Sequence, residues 1–523
     1  MHPIEHARTR PDHPAVIMAG SGERMTFGEM DREANRFAQL LRERGLRAGD
    51  AFAVLLENRA EFYTVIWGSQ RAGTILIPVS TRLTAPEIAY ILADGEAKLL
   101  ITSTKYAHVL SDVRERCPGL AALVMDEGGA EDFAAALAAQ PAEPIADESA
   151  GLTMLYSSGT TGRPKGVRPR PPEDPSPTAP VALMGLAVMG AGMPADGPMV
   201  YLSPAPLYHA APIGWSSAVH RLGGTVVLME KFEPEAALAA IERYGVTDSQ
   251  WVPTHFVRML KLDDKVRTRY DLSTHSRAIH AAAPCPVPIK RAMIDWWGPI
   301  IIEYYAGSEG IGMTLVKSAE WLERPGTVGK AIFGALHVCG PAGEELPPGE
   351  DGLIYFENAV LPTYHNDPGK TAEAMHPSGW MTIGDIGHVD SDGYLFLTDR
   401  KSHMIISGGV NIYPQEIENL LVSHDKVIDA AVIGAPHGDL GEQVVAVVQP
   451  ADMAAVAGDG GAALEEELRA YLAPQLARIK MPRRFDFRPE LPREANGKLY
   501  KRELRDEYAA KAATEVSEPT STG

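Results

Sequence analysis

Apolar runs of strand length alternate with amphipathic stretches of helix length along the first hundred residues of the chain. Spacing near 3.6 residues indicates a helix, and a short apolar run between turns indicates a buried strand. The predicted helices are 27–46, 60–73 and 83–95, and the predicted strands are 51–58, 74–80 and 97–103. This alternation predicts an α/β fold, in which largely parallel sheets are covered by helices.

The chain has 523 residues, which exceeds the size of one ordinary domain. A second and smaller pattern of helices and strands begins near Asp399. We therefore expect a large N-terminal domain over 1–398 and a small, mobile α+β domain over 399–510. The tail 511–523 lacks large apolar residues and is predicted to be disordered.

Composition and charge exclude several classes of protein. Hydrophobic residues make up 45% and charged residues 22% of the chain, as in ordinary globular proteins. The formal net charge of −19 argues against a nucleic-acid partner, because binding to phosphate backbones needs a basic surface. The three cysteines form no closely spaced pair, which favours a cytoplasmic location.

The longest apolar stretch, residues 180–195, is too short and too rich in glycine to span a bilayer, so we expect a buried helix there. The preceding segment 168–180 contains six prolines and is predicted to be an exposed loop. This loop is either a neutral insertion or a mobile flap near the functional site, and the sequence leaves both roles open.

The segment YSSGTTGRPKG, at 156–166, follows a short apolar strand and combines glycines, hydroxyls and a lysine. Glycines allow backbone N–H groups to converge on phosphate oxygens, and the hydroxyl and ammonium groups add further donors. Two residues separate Gly159 from Gly162, and Lys165 follows three residues later, so the spacing differs from that of a Walker loop. The segment therefore predicts a phosphate-binding loop of another kind.

This loop resembles the phosphate loop of the adenylate-forming superfamily, which includes acyl-CoA synthetases and AMP-dependent ligases. Four further segments resemble that family's motifs in the same order along the chain. They are YYAGSEG (304–310), GWMTIGDIGHVDSDGYLFLTDRKS (379–402), GGVNIYPQEIE (408–418) and PREANGKLYKREL (492–504). The resemblance covers nearly the whole chain.

The resemblance implies a nucleotide site. Thr160 and Thr161 would contact the β- and γ-phosphates, Tyr305 would stack on adenine, and Asp385 would accept hydrogen bonds from both ribose hydroxyls. The implied ATP- or AMP-binding residues are Ser157, Ser158, Gly159, Thr160, Thr161, Gly162, Lys165, Ala282, Ala283, Glu303, Tyr304, Tyr305, Gly307, Ser308, Asp385, Phe396 and Arg400.

The resemblance also implies the catalytic groups. Lys498 matches the family's adenylation lysine, which would stabilise the negative charge of the transition state. Glu309 and Thr160 would hold Mg²⁺, for which hard oxygen ligands beside phosphates are suited. Ser308 stands where the family usually has threonine, and either hydroxyl can donate to the α-phosphate.

The small domain is expected to rotate about a hinge at Ser402. The family usually has Asp or Lys at this position, but a hinge depends on permissive backbone angles more than on charge. Gly408 and Gly409 resemble the segment that lines the channel for the pantetheine arm of coenzyme A, where only glycine permits close backbone approach.

The acid would bind in a pocket next to the nucleotide. The implied pocket residues are His209, Trp215, Trp251, His255, Ala281 and Gly312. For the two tryptophans, core packing is almost as good an explanation. A fatty acid, a cyclic or steroid side-chain acid and an aryl acid all stay open as substrates.

The predicted activity is an acid–thiol ligase that uses ATP, Mg²⁺ and coenzyme A. The chain would activate a carboxylic acid as acyl-AMP with release of pyrophosphate, and then pass the acyl group to coenzyme A. An amine or a carrier protein is the alternative acceptor, since the first half-reaction would be identical. The oligomeric state, with a homodimer as one option, stays open.

Overall fold

The computed structural model describes residues 2–129, 131–157, 164–195, 198–493 and 499–517. The strands are β1 (Pro14–Met18), β2 (Arg24–Thr26), β3 (Ala51–Leu55), β4 (Ile75–Pro78), β5 (Ala97–Ser103), β6 (Ala121–Met125), β7 (Leu152–Thr153), β8 (Leu155–Ser157), β9 (Lys165–Arg168), β10 (Val200–Ser203), β11 (Thr225–Leu228), β12 (Asp248–Trp251), β13 (Arg277–His280), β14 (Ile301–Ala306), β15 (Met313–Lys317), β16 (Thr327–Phe333), β17 (Ala335–Cys339), β18 (Gly352–Glu357), β19 (Thr363–Tyr364), β20 (Asp385–Val389), β21 (Leu395–Arg400), β22 (Ile405–Ser407), β23 (Val410–Ile412), β24 (Val427–His437), β25 (Gly441–Pro450) and β26 (Arg484–Phe487).

The α-helices are α1 (Pro3–Thr9), α2 (Phe27–Glu43), α3 (Glu61–Ala72), α4 (Ala85–Asp94), α5 (Ala107–Arg116), α6 (Phe133–Ala138), α7 (Ala182–Gly185), α8 (Ala210–Leu222), α9 (Pro234–Tyr244), α10 (Pro253–Leu260), α11 (Asp264–Arg267), α12 (Val287–Trp297), α13 (Ser318–Glu323), α14 (Pro368–Ala374), α15 (Pro414–Val422), α16 (Ala462–Leu472) and α17 (Lys501–Ser517). No helix in these ranges is both long enough and apolar enough to cross a membrane.

The predicted alternation of strands and helices forms a five-stranded sheet in the order β6-β5-β3-β4-β7. Its strand pairs are parallel, as crossover helices require. The helix α2 begins at a capping box, in which the Thr26 hydroxyl accepts from the Glu29 N–H and the Glu29 carboxylate accepts from the Thr26 N–H. The predicted α/β fold class is confirmed.

A thirteen-stranded sheet forms the largest part of the molecule. The strands β1, β11, β10, β12, β13 and β14 are parallel to one another in this order, β2 is antiparallel to β1, and β14 begins an antiparallel series through β15 and β16. In parallel sheets the loops after the carboxyl ends of the strands are the usual place for a ligand site. We therefore expect the ligand site at the carboxyl ends of β12, β13 and β14.

A small three-stranded sheet, β19-β9-β8, joins distant parts of the chain. Tyr364 of β19 pairs with Val167 of β9, although 197 positions separate them in the sequence. This pairing brings Tyr364 next to the strand that leaves the glycine-rich loop. Local sequence carries no signal for such a contact, because the register is set by tertiary packing.

The C-terminal part of the chain forms its own sheet, β23-β22-β25-β24, with β26 paired to β25. Helices α15 and α16 pack on it around a separate apolar core that includes Ile417, Leu421 and Leu468. Lys261, just after α10, donates to the carbonyl oxygens of His424 and Val427 and so links this part to the rest of the chain.

Two segments differ from their predictions. Residues 182–190 are helical as expected but only partly buried: Ala187 lies in the core, most of the others are half-buried, and Met189 is 82% exposed. The chain end also differs, because α17 continues to Ser517 where the sequence predicts a disordered tail. Residues with good helix propensity extend this helix, and Lys511 pairs with Glu507 one turn earlier at 2.6 Å.

Candidate functional site

Two adjoining cavities open at the carboxyl ends of β12, β13 and β14. The first has a volume of about 190 Å³ and the second a volume of about 560 Å³. The wall between the two cavities consists of the residues that line both, which are Ala282, Tyr304, Ala306, Ile383 and Arg400. A volume of several hundred cubic ångströms suits a small organic ligand.

Asp385 lies at the start of β20, where it lines the first cavity and is held by two neighbours. The Tyr305 hydroxyl donates to its Oδ2 at 2.7 Å, and the Arg400 Nε lies 3.0 Å from its Oδ1. Burial and the Asp385 carboxylate raise the pKa of Tyr305, and the same carboxylate raises the pKa of Arg400. A hydroxyl and a guanidinium thus hold the Asp385 carboxylate in place beside the cavity.

Ala282 and Ala283 follow β13 and line the first cavity. Ala282 has a φ of 77°, in the left-handed region that residues with a Cβ rarely adopt. Such a conformation persists only where the surrounding structure imposes it, and it is common at ligand sites. The small side chains leave room for a flat ring against this wall.

Glu303 also lines the first cavity, but its carboxylate is paired inside the protein. Lys290 Nζ donates to Glu303 Oε2 at 2.5 Å, and both side chains are almost fully buried. Burial raises the pKa of Glu303. The pair fixes the end of β14, which carries Tyr304 and Tyr305, so Glu303 positions this wall.

Gly307, Ser308, Glu309 and Lys165 line the second cavity. The Tyr364 hydroxyl donates to Glu309 Oε1 at 3.1 Å, and the Lys165 ammonium lies 5.3 Å from the centre of the Tyr364 ring. Burial lowers the pKa of Lys165. A Cβ atom at position 307 would lie 2.8 Å from Glu309 Oε2. Glycine at this position therefore allows the Glu309 carboxylate to lie close to the backbone.

Several predicted residues cannot be placed in the site. Ser158, Gly159, Thr160, Thr161, Gly162 and Lys498 lie outside the described residues. The backbone of Ser157 belongs to β8, immediately before the glycine-rich loop. Lys165 is the first residue of β9, the strand that follows the glycine-rich loop.

The predicted acyl pocket is represented by three residues of the second cavity, His209, Trp215 and Ala281. His209 is the residue before the first turn of α8, and its ring lies 4.4 Å from that of Tyr208. Trp215 donates its indole N–H to the Tyr304 hydroxyl at 3.2 Å. That hydrogen bond ties α8 to the wall between the cavities.

The structure places the other three pocket candidates elsewhere. Trp251 packs in the core, and its indole N–H donates to the Ser249 hydroxyl at 2.5 Å. His255 is buried and stacks on Phe232 at 3.9 Å, and burial lowers its pKa to about 3. Gly312 allows close packing, because a Cβ there would meet Phe356 Cδ1 at 1.9 Å.

Of the expected hinge and channel residues, Ser402 alone lines one of the two cavities. Ser402 lines the second cavity, and its carbonyl oxygen accepts from Arg505 Nη1 at 2.9 Å. Gly408 and Gly409 form the exposed turn between β22 and β23, with φ of 58° and 81°, and they line neither cavity. Phe396 also lines neither cavity, since its ring stacks on His388.

Two residues of the site had no signal in the sequence. Tyr364 reaches Glu309 only through the pairing of β19 with β9. Gln250 of β12 lines the second cavity among apolar residues and looks like an ordinary strand residue in the sequence. Only the register of the long sheet brings it there.

Comparisons with known proteins agree with the resemblance found in the sequence. A model of AMP-binding enzymes matches residues 4–365, and a model of the C-terminal domain of AMP-binding enzymes matches residues 416–498. A feruloyl-CoA synthase of an Amycolatopsis species is 34% identical, with 97% of this chain and 98% of that protein aligned.

Two further proteins are similar over their full length. A fatty acid–acyl-carrier-protein ligase of Streptomyces coeruleorubidus is 32% identical, with 98% of this chain and 96% of that protein aligned. The crystal structure of ATP-bound MatB from Rhodopseudomonas palustris superposes with a TM-score of 0.80 at 28% identity, covering 97% of this chain and 99% of that one.

Proposed function

This chain belongs to the AMP-binding enzyme family and is an AMP-forming ligase, and on that basis we propose that it joins a carboxylic acid to coenzyme A. The acid carboxylate attacks the α-phosphate of ATP, which forms acyl-AMP and releases pyrophosphate. The thiol of coenzyme A then attacks the acyl carbon, a thioester forms, and AMP leaves.

The arrangement around Asp385 is the observation that carries this proposal. Its carboxylate is held by Tyr305 and Arg400 at the rim of a cavity walled by two alanines. A fixed carboxylate is a good acceptor for two ribose hydroxyls, and the small alanines suit the adenine ring. The adjoining cavity with His209 and Trp215 then receives the acid on the other side of Tyr304.

The residues present also fit Mg²⁺. Glu309 offers a carboxylate whose Oε1 is already oriented by Tyr364, and magnesium typically takes one or two carboxylates together with substrate phosphates. Bound there, the ion would neutralise charge on the phosphates of ATP. Thr160 is proposed as the second protein ligand. Lys165 adds a positive charge at the same end of the cavity.

We further propose that residues 1–398 and 399–510 act as two domains that change their relative pose between the half-reactions. Lys498 would serve adenylation, whereas Gly408 and Gly409 would line the path of the thiol. The two glycines lie outside both cavities in this pose, which supports a second pose for thioester formation.

A carrier protein or an amine is the second candidate for the acceptor. A relative named as an acyl-carrier-protein ligase is 32% identical over nearly the full length, close to the 34% of a relative named as a CoA synthase. The first half-reaction is the same for all three acceptors, so acceptor choice must be measured directly.

The test is a panel of fatty, aryl and cyclic acids incubated with ATP and Mg²⁺, alone and with coenzyme A, an amine or a phosphopantetheinylated carrier protein. Pyrophosphate, AMP and acyl product are read separately. Acid-dependent pyrophosphate release with thioester formation only when coenzyme A is present supports the proposal. Acyl transfer to the amine or carrier, but not to coenzyme A, overturns the choice of acceptor and leaves adenylation standing.

A further inference from the structure

Gln250 is a buried amide in the wall of the second cavity. Its side chain is 1% exposed, and no hydrogen-bond partner in the described part of the chain reaches either its Nε2 or its Oε1. Buried polar groups in folded proteins are nearly always paired, so an exception at a ligand cavity points to a partner supplied by the ligand.

The neighbouring residues of the same strand contrast with Gln250. Asp248 accepts from Arg277 Nε at 2.5 Å, the Ser249 hydroxyl lies 2.6 Å from His275 Nε2, and Trp251 donates to Ser249. Among these four residues of β12, Gln250 lines the second cavity, and its amide atoms have no hydrogen-bond partner among the described residues. Ser249 and Trp251 point to the opposite face from Gln250, and Asp248, on the same face, has its own partner in Arg277.

On the side of β13, the neighbours of Gln250 are apolar. Its neighbour in β13 is Ile279, which is itself paired with Ile302 of β14. Val252, two residues further along on the same face, and Ala281 line the same cavity. An amide both donates and accepts hydrogen bonds but carries no charge, so its complement is a neutral hydroxyl or carbonyl group.

We propose that Gln250 selects an acid whose acyl body carries a neutral hydroxyl or carbonyl group, in preference to the matching hydrocarbon acid. This inference rests on the proposed function, because it assumes that the second cavity holds the acid. A plain alkyl or phenyl body would cover the amide and leave its donor and acceptor without partners. Sites built to bond a substrate hydroxyl discriminate strongly against the analogue that lacks it.

The experiment compares matched pairs of acids by kcat/KM for pyrophosphate release, without coenzyme A. Suitable pairs are 3-(4-hydroxyphenyl)propanoate with 3-phenylpropanoate, and hydroxy or keto fatty acids with unsubstituted acids of equal length. We expect the wild type to prefer the oxygenated member of at least one pair by about 10-fold or more. In Gln250→Met, which keeps the length but removes both polar atoms, this ratio should fall towards one.

Met313→Leu is the matched control, because it alters the same cavity without changing polarity. Met313→Leu should change kcat/KM for both acids of a pair by the same factor. Gln250→Leu provides a second variant if Gln250→Met folds poorly, and the melting temperature of each variant is measured alongside. Gln250→Asn keeps the amide but withdraws it by one methylene, so it should give an intermediate ratio.

Three results would overturn the inference. One is a wild-type preference for the hydrocarbon member of every pair. Another is an unchanged ratio in Gln250→Met at any melting temperature; a lowered melting temperature would then mean that the amide serves a buried water shared with Tyr201 and Ser203 of the adjacent strand β10, whose hydroxyls also have no partner among the described residues. Absence of pyrophosphate with every acid would instead refute the proposed function and, with it, this inference.

Discussion

The Tyr305 hydroxyl donates a hydrogen bond to Asp385 at 2.7 Å, so the proposed adenine-stacking ring and the proposed ribose acceptor are joined directly. Two motifs that are 80 positions apart in the sequence thereby form one rigid unit. A base and a sugar that bind to this unit would be held in a fixed relation to each other.

Tyr305→Phe should weaken ATP binding while the ring continues to stack. A hydrogen bond to a charged group contributes about 1.5–3 kcal/mol, so we expect roughly a 10- to 100-fold rise in Kd. Calorimetry with ATP measures it. Tyr270→Phe is the control, since Tyr270 makes a similar bond to Glu235 on the surface and should leave Kd unchanged. Equal effects of the two variants would contradict the role of the Tyr305–Asp385 bond.

Lys498→Ala should abolish acyl-AMP formation but spare thioester formation from supplied acyl-AMP, because the lysine acts on the first transition state only. The two half-reactions are measured separately by pyrophosphate release and by thioester yield. Lys426→Ala removes an exposed lysine of the same part of the chain and should affect neither. Normal adenylation by Lys498→Ala would refute the assignment.

His209→Ala should change the ranking of acids by kcat/KM more than it changes the KM for ATP. The reason is that His209 lines the second cavity at the start of α8 and does not line the cavity that contains Asp385. Steady-state kinetics over the acid panel provides the measurement. A uniform loss for all acids would indicate a general structural or catalytic role instead.

Ser402→Pro should slow thioester formation and largely keep adenylation. Proline fixes φ at about −65° and restricts the backbone of the preceding residue, so rotation of the small domain about this position becomes difficult. Arg505 holds the Ser402 carbonyl, and Gln415 N–H donates to Asp399 at 2.9 Å, so this pose keeps its contacts in the variant. Pyrophosphate and thioester are again read separately. Equal slowing of both steps, at unchanged melting temperature, would rule out a hinge here.

His255→Phe should reduce the loss of stability on acidification. Burial lowers the pKa of His255 to about 3, below its unfolded value near 6.5, so between these values the unfolded chain binds a proton that the folded chain does not. Stability therefore falls as pH falls through about 6.5, by about 2 kcal/mol at pH 5 for this group.

Urea unfolding at pH 7 and pH 5 measures this effect, with tryptophan fluorescence as the signal because Trp251 lies 6.1 Å from His255. His108→Phe, at an exposed histidine of α5, is the control and should lose as much stability as the wild type. If His255→Phe loses as much stability between pH 7 and pH 5 as the wild type, His255 is not the source of this pH dependence.

The sequence predicted elements whose pattern is local and missed contacts that depend on register. The predicted strand over 97–103 and the predicted start of the helix at Phe27 agree with the structure. The apolar pattern of the strand and the residues that cap the helix both lie within the segments themselves. Tyr364 and Gln250 reach the site only through strand pairings between distant segments. Trp251 was predicted as a pocket residue because its segment resembles part of the family's acyl tunnel, but it ends β12 and packs in the core.

The shared wall has a consequence for changing what this enzyme accepts. Tyr304 and Ala282 border both cavities, and Tyr304 is bonded to Trp215 on the acid side. With the acid and the nucleotide placed as proposed, we expect redesign of this wall for a bulkier acid to weaken nucleotide binding as well. In the proposed arrangement, we expect changes of acid selectivity that spare ATP binding only on the opposite side of the second cavity, at α8 and the cavity face of β12.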